Sequence, residues 1–155
     1  MVGRGSGAVF PEIIALLDGL DKVYRGKGVS AEIDSDESLE FYGDKGDLVE
    51  LLGNLLDNAY KWSQSRVLVT AHALPFTAPQ RKPGILLRID DDGPGIPAEQ
   101  SAAVTERGTR LDEATPGTGI GLAVAADLVD LYGGALSIES SDLGGARVSV
   151  TTPPF

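Results

Sequence analysis

Apolar and polar residues alternate along this chain with two different periods, and each period predicts a different kind of element. In "PEIIALLDGLDKVYRGKG" apolar residues recur at helical intervals, with Pro11 suited to a first turn and Gly26 and Gly28 to a stop. "VSAEID" and "LEFYG" predict two short strands around the acidic turn "SDES", though their alternation is weak. Residues 44 to 63 predict a second helix. "RVLVTAHAL" and "GILLRIDDD" are the clearest strands, joined by "PFTAPQRKP", whose three prolines and lack of pattern predict a surface loop. After Asp91 a glycine-rich, polar stretch runs to about residue 118, followed by a helix over "GIGLAVAADLVDLYG". "ALSIES" and "ARVSVTT" then form a hairpin turned at "SDLGG". Hairpins dominate, so the pattern predicts an α+β fold: a two-layer sandwich with helices packed on one face of a mixed, mostly antiparallel sheet. There is no internal repeat or low-complexity segment.

The second helix carries an unusual polar stripe. At about 100° per residue, Glu50, Asn54, Asp57, Asn58 and Lys61 share one arc, while Leu48, Leu51, Leu52, Leu55, Leu56 and Ala59 fill the opposite side. Such a stripe can be a solvated face. A face selected only for solubility would favour Glu, Lys and Gln, however, which are better helix formers than Asn. Two asparagines one turn apart point instead to carboxamides aimed at a ligand. An amide oxygen suits Mg²⁺, and an amide NH₂ or lysine ammonium suits phosphate oxygens. Glu50 stands one turn before Asn54, placed to hold a metal-bound water or accept a proton.

Composition narrows the ligand. With 155 residues, 42% of them hydrophobic, the chain is long enough for one well-packed domain, assigned to residues 11–155. Residues 1–10 read as an initiator plus linker or cloning remnant, and the whole as a piece of a longer protein. A net charge of −10 argues against nucleic acid or an anionic membrane as partner, so an anionic ligand must be met by locally placed donors. The absence of cysteine excludes disulfides and thiolate metal sites and fits a reducing compartment. No apolar run approaches the roughly 20 residues of a membrane span, and no signal-peptide pattern opens the chain.

Two further stretches carry candidate chemistry. In "DDDGPGIP", residues 90 to 97, glycines either side of a proline allow a sharp turn and close backbone approach to a ligand. Asp91, at the strand end, can accept a hydrogen bond from an exocyclic amine; the stretch could equally be a plain acidic turn. "PGTGIGL", residues 116 to 122, runs straight into a helix, so Gly117, Gly119 and Gly121 would let backbone N–H groups face an anion at the positive helix end. It is neither a Walker A loop nor a Rossmann fingerprint.

Taken in order, "ELLGNLLDNAYK", "DDGPGIP" and "GTGIGLAV" resemble the N, G1 and G2 boxes of the ATP-binding domain shared by sensor histidine kinases, DNA gyrase, Hsp90 and MutL, the Bergerat fold. The resemblance runs from Pro11 to Thr152. Within that family the stretches "VYRGKGVSAEID", "ERGTRLDEATPGTGIGLAVA" and "LGGARVSV" are most similar to sensor kinases of the PhoQ type. The resemblance implies ATP and Mg²⁺ as cofactors. Asn54 would give an oxygen to Mg²⁺; Asn58 and Lys61 would contact phosphates, with Glu50 as a base or water-polarising residue. Asp91 would bind the adenine amine, Gly93 and Gly95 would keep the backbone close, and Ile96 and Trp62 would flank the base. Residues 98–117 would form a lid, from which Arg107 and Arg110 reach the phosphates, and Gly117, Thr118, Gly119, Gly121 and Leu122 would complete the pocket.

Partners implied are the parent's own dimerisation domain, which bears the phosphoacceptor histidine, and a cognate response regulator. The fragment would be a monomer without membrane contact, the cytoplasmic part of a bacterial inner-membrane sensor. Three departures qualify this. The lid lacks the usual F-box phenylalanine, with Val104 and Thr105 instead; Thr115 stands where an arginine can occur; and the only histidine, His72, lies in a predicted strand. The chain is therefore expected to bind ATP without phosphorylating itself. A transfer-inactive nucleotide-binding module that regulates a partner is the alternative, and a gyrase- or Hsp90-type ATPase a third.

Overall fold

The computed structural model describes residues 7–75, 81–94 and 120–155, with Ile120 and Gly121 described by backbone alone. Strand β1 (Gly7–Ala8) leads directly into α1 (Val9–Val23). A 3₁₀ turn at Arg25–Lys27 follows, and Gly28 ends it in the left-handed region at φ 67°. Residues 7–10, read from sequence as part of a linker, are thus built into the fold. Val9 is fully buried in the core and Gly7 pairs with Phe41, so apolar burial begins before the proline that marked the helix start.

Strands β2 (Ser30–Ser35) and β3 (Glu40–Phe41) do not pair with each other across the acidic turn between them. β2 runs parallel to β4 (Arg66–Ala73), and β3 pairs antiparallel with β1. The turn is closed locally, as Asp36 Oδ1 accepts from Ser38 N and Oγ at 2.9 and 2.8 Å. Those hydrogen bonds hold the Asp36 carboxyl below its usual range. Leu39 and Phe41 then turn into the core, which draws β3 away from the main sheet.

Helix α2 (Lys45–Trp62) starts at Asp44, whose Oδ1 accepts from Asp47 N at 3.1 Å. Its five leucines at 48, 51, 52, 55 and 56 are all buried, each contributing about 1.5–3 kcal/mol against the entropy of ordering the chain. Strand β5 (Ile85–Asp91), α3 (Ile120–Leu131), β6 (Ala135–Ser140) and β7 (Ala146–Thr151) complete the described elements. The main sheet has the order β2-β4-β5-β7-β6, antiparallel except for the β2–β4 pair. The inward residues of its strands share one core with α1, α2 and α3, giving the expected two-layer α+β sandwich. At one corner Phe41, Tyr132 and Phe155 pack edge to face, and Tyr132 OH donates to Asp47 Oδ2 at 2.6 Å, tying α3 to the start of α2. Burial and that bond push the Tyr132 hydroxyl up to about 12.

Candidate functional site

The candidate residues gather at the end of the sheet where β4 begins, β5 ends and β7 begins. Antiparallel pairing there sets Val67 opposite Asp91 and Asp90 opposite Arg147. Asp91 is only 3% exposed. Its Oδ1 accepts from Gly93 N at 2.9 Å and Ala146 N at 3.3 Å, and its carbonyl accepts from Gly145 N at 3.1 Å. Among the described residues no cation pairs with it. Burial pushes its carboxyl above the usual range, and the charges of Asp92 and Asp90 act in the same direction against the two N–H donors. Keeping an anionic group dry without a counter-charge is costly, and groups perturbed in this way cluster at functional sites.

Two glycines hold this corner closed. A Cβ on Gly93 would lie 2.0 Å from the Trp62 carbonyl oxygen, so the turn after β5 can lie against the end of α2 only with glycine there. A Cβ on Gly145 would lie 2.2 Å from Asp91 Oδ1. Asp92 fastens the corner from outside. Its carboxylate accepts from Gln64 N at 2.8 Å, Ser65 N at 3.0 Å, Ser65 Oγ at 2.9 Å and Arg66 N at 3.0 Å. Burial opposes its ionisation, but these donors outweigh it and hold the carboxyl at about 2.

Along α2 the polar stripe divides. Asn54 is half-buried, and its Nδ2 donates to the Glu50 carbonyl at 2.8 Å, a back-bond that leaves the amide oxygen available as an acceptor. Asn58 is 8% exposed, and its carboxamide forms no hydrogen bond among the described residues. Glu50 and Lys61 are exposed and Trp62 is half-buried. Asp57, grouped with these on the helical arc, is turned elsewhere: it accepts from Tyr24 OH at 2.8 Å, which joins α2 to the end of α1. Burial and that bond push the Tyr24 hydroxyl up to about 12. Tyr60 OH donates to Asp21 Oδ1 at 2.8 Å, and Lys27 Nζ donates to the carbonyls of Tyr60 and Lys61 at the end of α2.

Gly121 lies in the first turn of α3, so that helix does begin where the glycine-rich stretch ends. Leu122 has its side chain in the core, 2% exposed. Gly95, Ile96, Arg107, Arg110, Gly117, Thr118 and Gly119, and with them the lid at 98–117, lie outside the described residues. His72 is a β4 residue opposite Leu86, its Nε2 3.5 Å from Asp34 Oδ1. The structure therefore joins Trp62, Asp91 and Gly93 in one corner, with Asn58 and Asn54 one and two turns back along α2. The sequence reading missed Asp90, Asp92 and Gly145. Three successive aspartates look alike as letters, although strand alternation already requires Asp90 and Asp91 to face opposite sides.

Residues 43–155 match the family described as histidine kinase-, DNA gyrase B-, and HSP90-like ATPase. The chain is 48% identical over 136 residues to the two-component sensor PhoQ of Pseudomonas aeruginosa, covering 88% of this chain and 29% of that protein. It is 37% identical over 150 residues to the sensor protein PhoQ of Escherichia coli, covering 97% of this chain and 29% of that protein. The chain thus spans less than a third of the length of these relatives. Among solved structures, the mycobacterial sensor histidine kinase MprB superposes with a TM-score of 0.74 at 26% identity, covering 97% of each chain. The catalytic domain of histidine kinase ThkA superposes at 0.78 with 18% identity, covering 96% of this chain and 93% of that one, a likeness of fold.

Proposed function

Because this chain belongs to the family of histidine kinase-, DNA gyrase B-, and HSP90-like ATPases, we propose that it is the ATP-binding catalytic domain of a two-component sensor histidine kinase. It would transfer the γ-phosphoryl of ATP to a histidine on a dimerisation domain outside this chain, with a response regulator as the next acceptor. The observation that carries the reading is Asp91: a buried carboxylate without a cationic partner among the described residues, at the end of β5 beside the end of α2. An exocyclic amine is a neutral donor that such a group fits, and adenine, the base of the family's nucleotide, carries one. Trp62 would pack against one face of the base and Gly93 would let the backbone approach; the resemblance gives Ile96 and Gly95 the same two roles.

From Trp62 back to Asn54 is about 12 Å along the helix axis. A nucleotide with its base at Gly93 would run its phosphates back along α2, where Asn58 and Lys61 meet phosphate oxygens. The resemblance would add Arg107, Arg110 and the backbone at Gly117, Thr118, Gly119 and Gly121 as further phosphate donors. Mg²⁺ fits the side chains present. Among the described residues no group of three or more His, Cys, Asp or Glu could hold a metal, whereas Asn54 offers one hard oxygen, and Mg²⁺ usually takes one or two protein oxygens plus phosphates and waters. When bound, it neutralises phosphate charge as the phosphoryl group leaves. Glu50 holds the proton or water beside Asn54, and the rest is positioning. As the kinase domain of a two-component sensor it would lie on the cytoplasmic side of the membrane; among the described residues no helix is long and apolar enough to cross one.

Calorimetric titration with a non-hydrolysable ATP analogue, with and without Mg²⁺, tests binding. Adding ATP and the parent's dimerisation domain tests transfer, read as phosphohistidine. Saturable binding with transfer is expected. Binding without transfer would favour the regulatory module, and no binding would return the α2 stripe to a solvated face.

A further inference from the structure

Asp90 and Asp91 are neighbours on β5 whose side chains leave opposite faces of the sheet. Asp90 is 1% exposed, and its Oδ2 accepts from Ser141 Oγ at 2.7 Å and from Arg147 Nε at 2.8 Å. Those two residues bracket the turn that joins β6 to β7. Within the turn Ser141 N donates to the Gly145 carbonyl at 2.8 Å, Gly144 N to the Ser141 carbonyl at 3.0 Å and Leu143 N to Ser141 Oγ at 3.0 Å. The next two amides, Gly145 N and Ala146 N, are the ones that reach the Asp91 carbonyl and Oδ1. One carboxylate therefore grips both ends of the turn whose amides hold the adjacent carboxylate. Asp90 Oδ1 is buried with no partner among the described residues. Stability alone would be served better by an apolar residue than by a half-satisfied buried carboxylate.

We propose that Asp90 is a positioning residue for base recognition: with Ser141 and Arg147 it locks the β6–β7 turn against β5, so that Asp91 meets an exocyclic amine at a fixed angle. This rests on the ATP-binding reading above. The arrangement separates the two duties across the sheet. Asp91 faces the ligand side, and Asp90 sets its geometry from the open face without touching the ligand.

The test is the preference of the chain for a non-hydrolysable ATP analogue over its inosine counterpart, which lacks the amine, measured by calorimetry for the wild type, Asp90→Asn, Ser141→Ala and Arg147→Lys. In Asp90→Asn and Ser141→Ala the preference should fall on the order of tenfold, the factor one net hydrogen bond supplies, with the inosine affinity unchanged. Arg147→Lys, which keeps the cation, should retain most of it. A merely structural clamp would weaken both nucleotides equally, and that result, or an undiminished preference in folded variants, overturns the proposal. Should Asp90→Asn fail to fold, Ser141→Ala decides alone, since it removes one hydroxyl. A wild type that binds neither nucleotide sinks the ATP-binding reading and this inference with it, an outcome distinct from a wild type and variants that all prefer adenine.

Discussion

Gly145→Ala adds a single methyl group at a position whose backbone accepts it, since the positive φ angles fall at Gly28, Gly133 and Gly144 and not at Gly145. The added Cβ would nevertheless stand 2.2 Å from Asp91 Oδ1, 2.6 Å from the Asp91 carbonyl oxygen and 2.6 Å from Gly93 N. Two of those three are backbone atoms, so no rotamer change relieves the clash. Overpacking of this kind costs about 1–3 kcal/mol, offset by about 0.4–1 kcal/mol from the stiffer unfolded chain. At about 2–4 °C per kcal/mol for a domain of this size, melting should fall by several degrees. Displacing Asp91 should also weaken an adenine nucleotide by about 10- to 100-fold, the range for one hydrogen bond to a charged acceptor. Differential scanning fluorimetry and calorimetric titration read the two effects. Gly133→Ala is the control: Gly133 sits at φ 74° at the opposite end of the sheet and an added methyl there would meet only Pro153 Cγ at 3.8 Å, so this variant should lose stability through backbone strain and keep its nucleotide affinity. Unchanged melting and unchanged affinity in Gly145→Ala would refute the packing argument.

Asp92→Ala should destabilise the chain by about 2 kcal/mol at neutral pH, because four donors lose a charged acceptor. The folded Asp92 carboxyl titrates at about 2, below its ordinary 3.8, so its contribution is present above pH 3.8 and fades as pH falls towards 2; urea unfolding across that window should show the gap between wild type and variant closing, and a constant gap would contradict it. Asp91 has the opposite sign. Its raised carboxyl adds stability below pH 3.8 that is lost as pH rises through the folded value, so Asp91→Asn should stabilise the nucleotide-free chain at neutral pH while weakening adenine binding. Tyr60→Phe removes the bond to Asp21 between α2 and α1 and should cost about 1 kcal/mol in denaturant unfolding, with nucleotide affinity little changed. Asn54→Ala should abolish the Mg²⁺ dependence of binding of the ATP analogue and Asn58→Ala should weaken binding itself, both with the wild-type circular dichroism spectrum; unaltered titrations would remove these residues from the site.

Periodicity alone located α2, β4, β5, β6 and β7 to within a residue or two, because each buries one face and its apolar residues must repeat at the period of its backbone. The same logic named the α2 stripe and placed Asp91 at a strand end beside a turn. What it could not supply was pairing. β2 and β3 were adjacent in sequence and went to different partners, since the core took Leu39 and Phe41 and the edge of β4 took β2. Asp57 shared an arc with Asn54 and Asn58, yet Tyr24, 33 residues earlier, claimed it. The local letters singled out Asp91 at the strand end but gave no separate duties to Asp90 and Asp92. Only the register of β5 against β7, and the fit of the α2 end against Gly93, made one of them a dry ligand group, one a turn clamp and one a fastening for the chain after α2. Elements follow from the spacing of residues along the chain, but a site is made of distances across it.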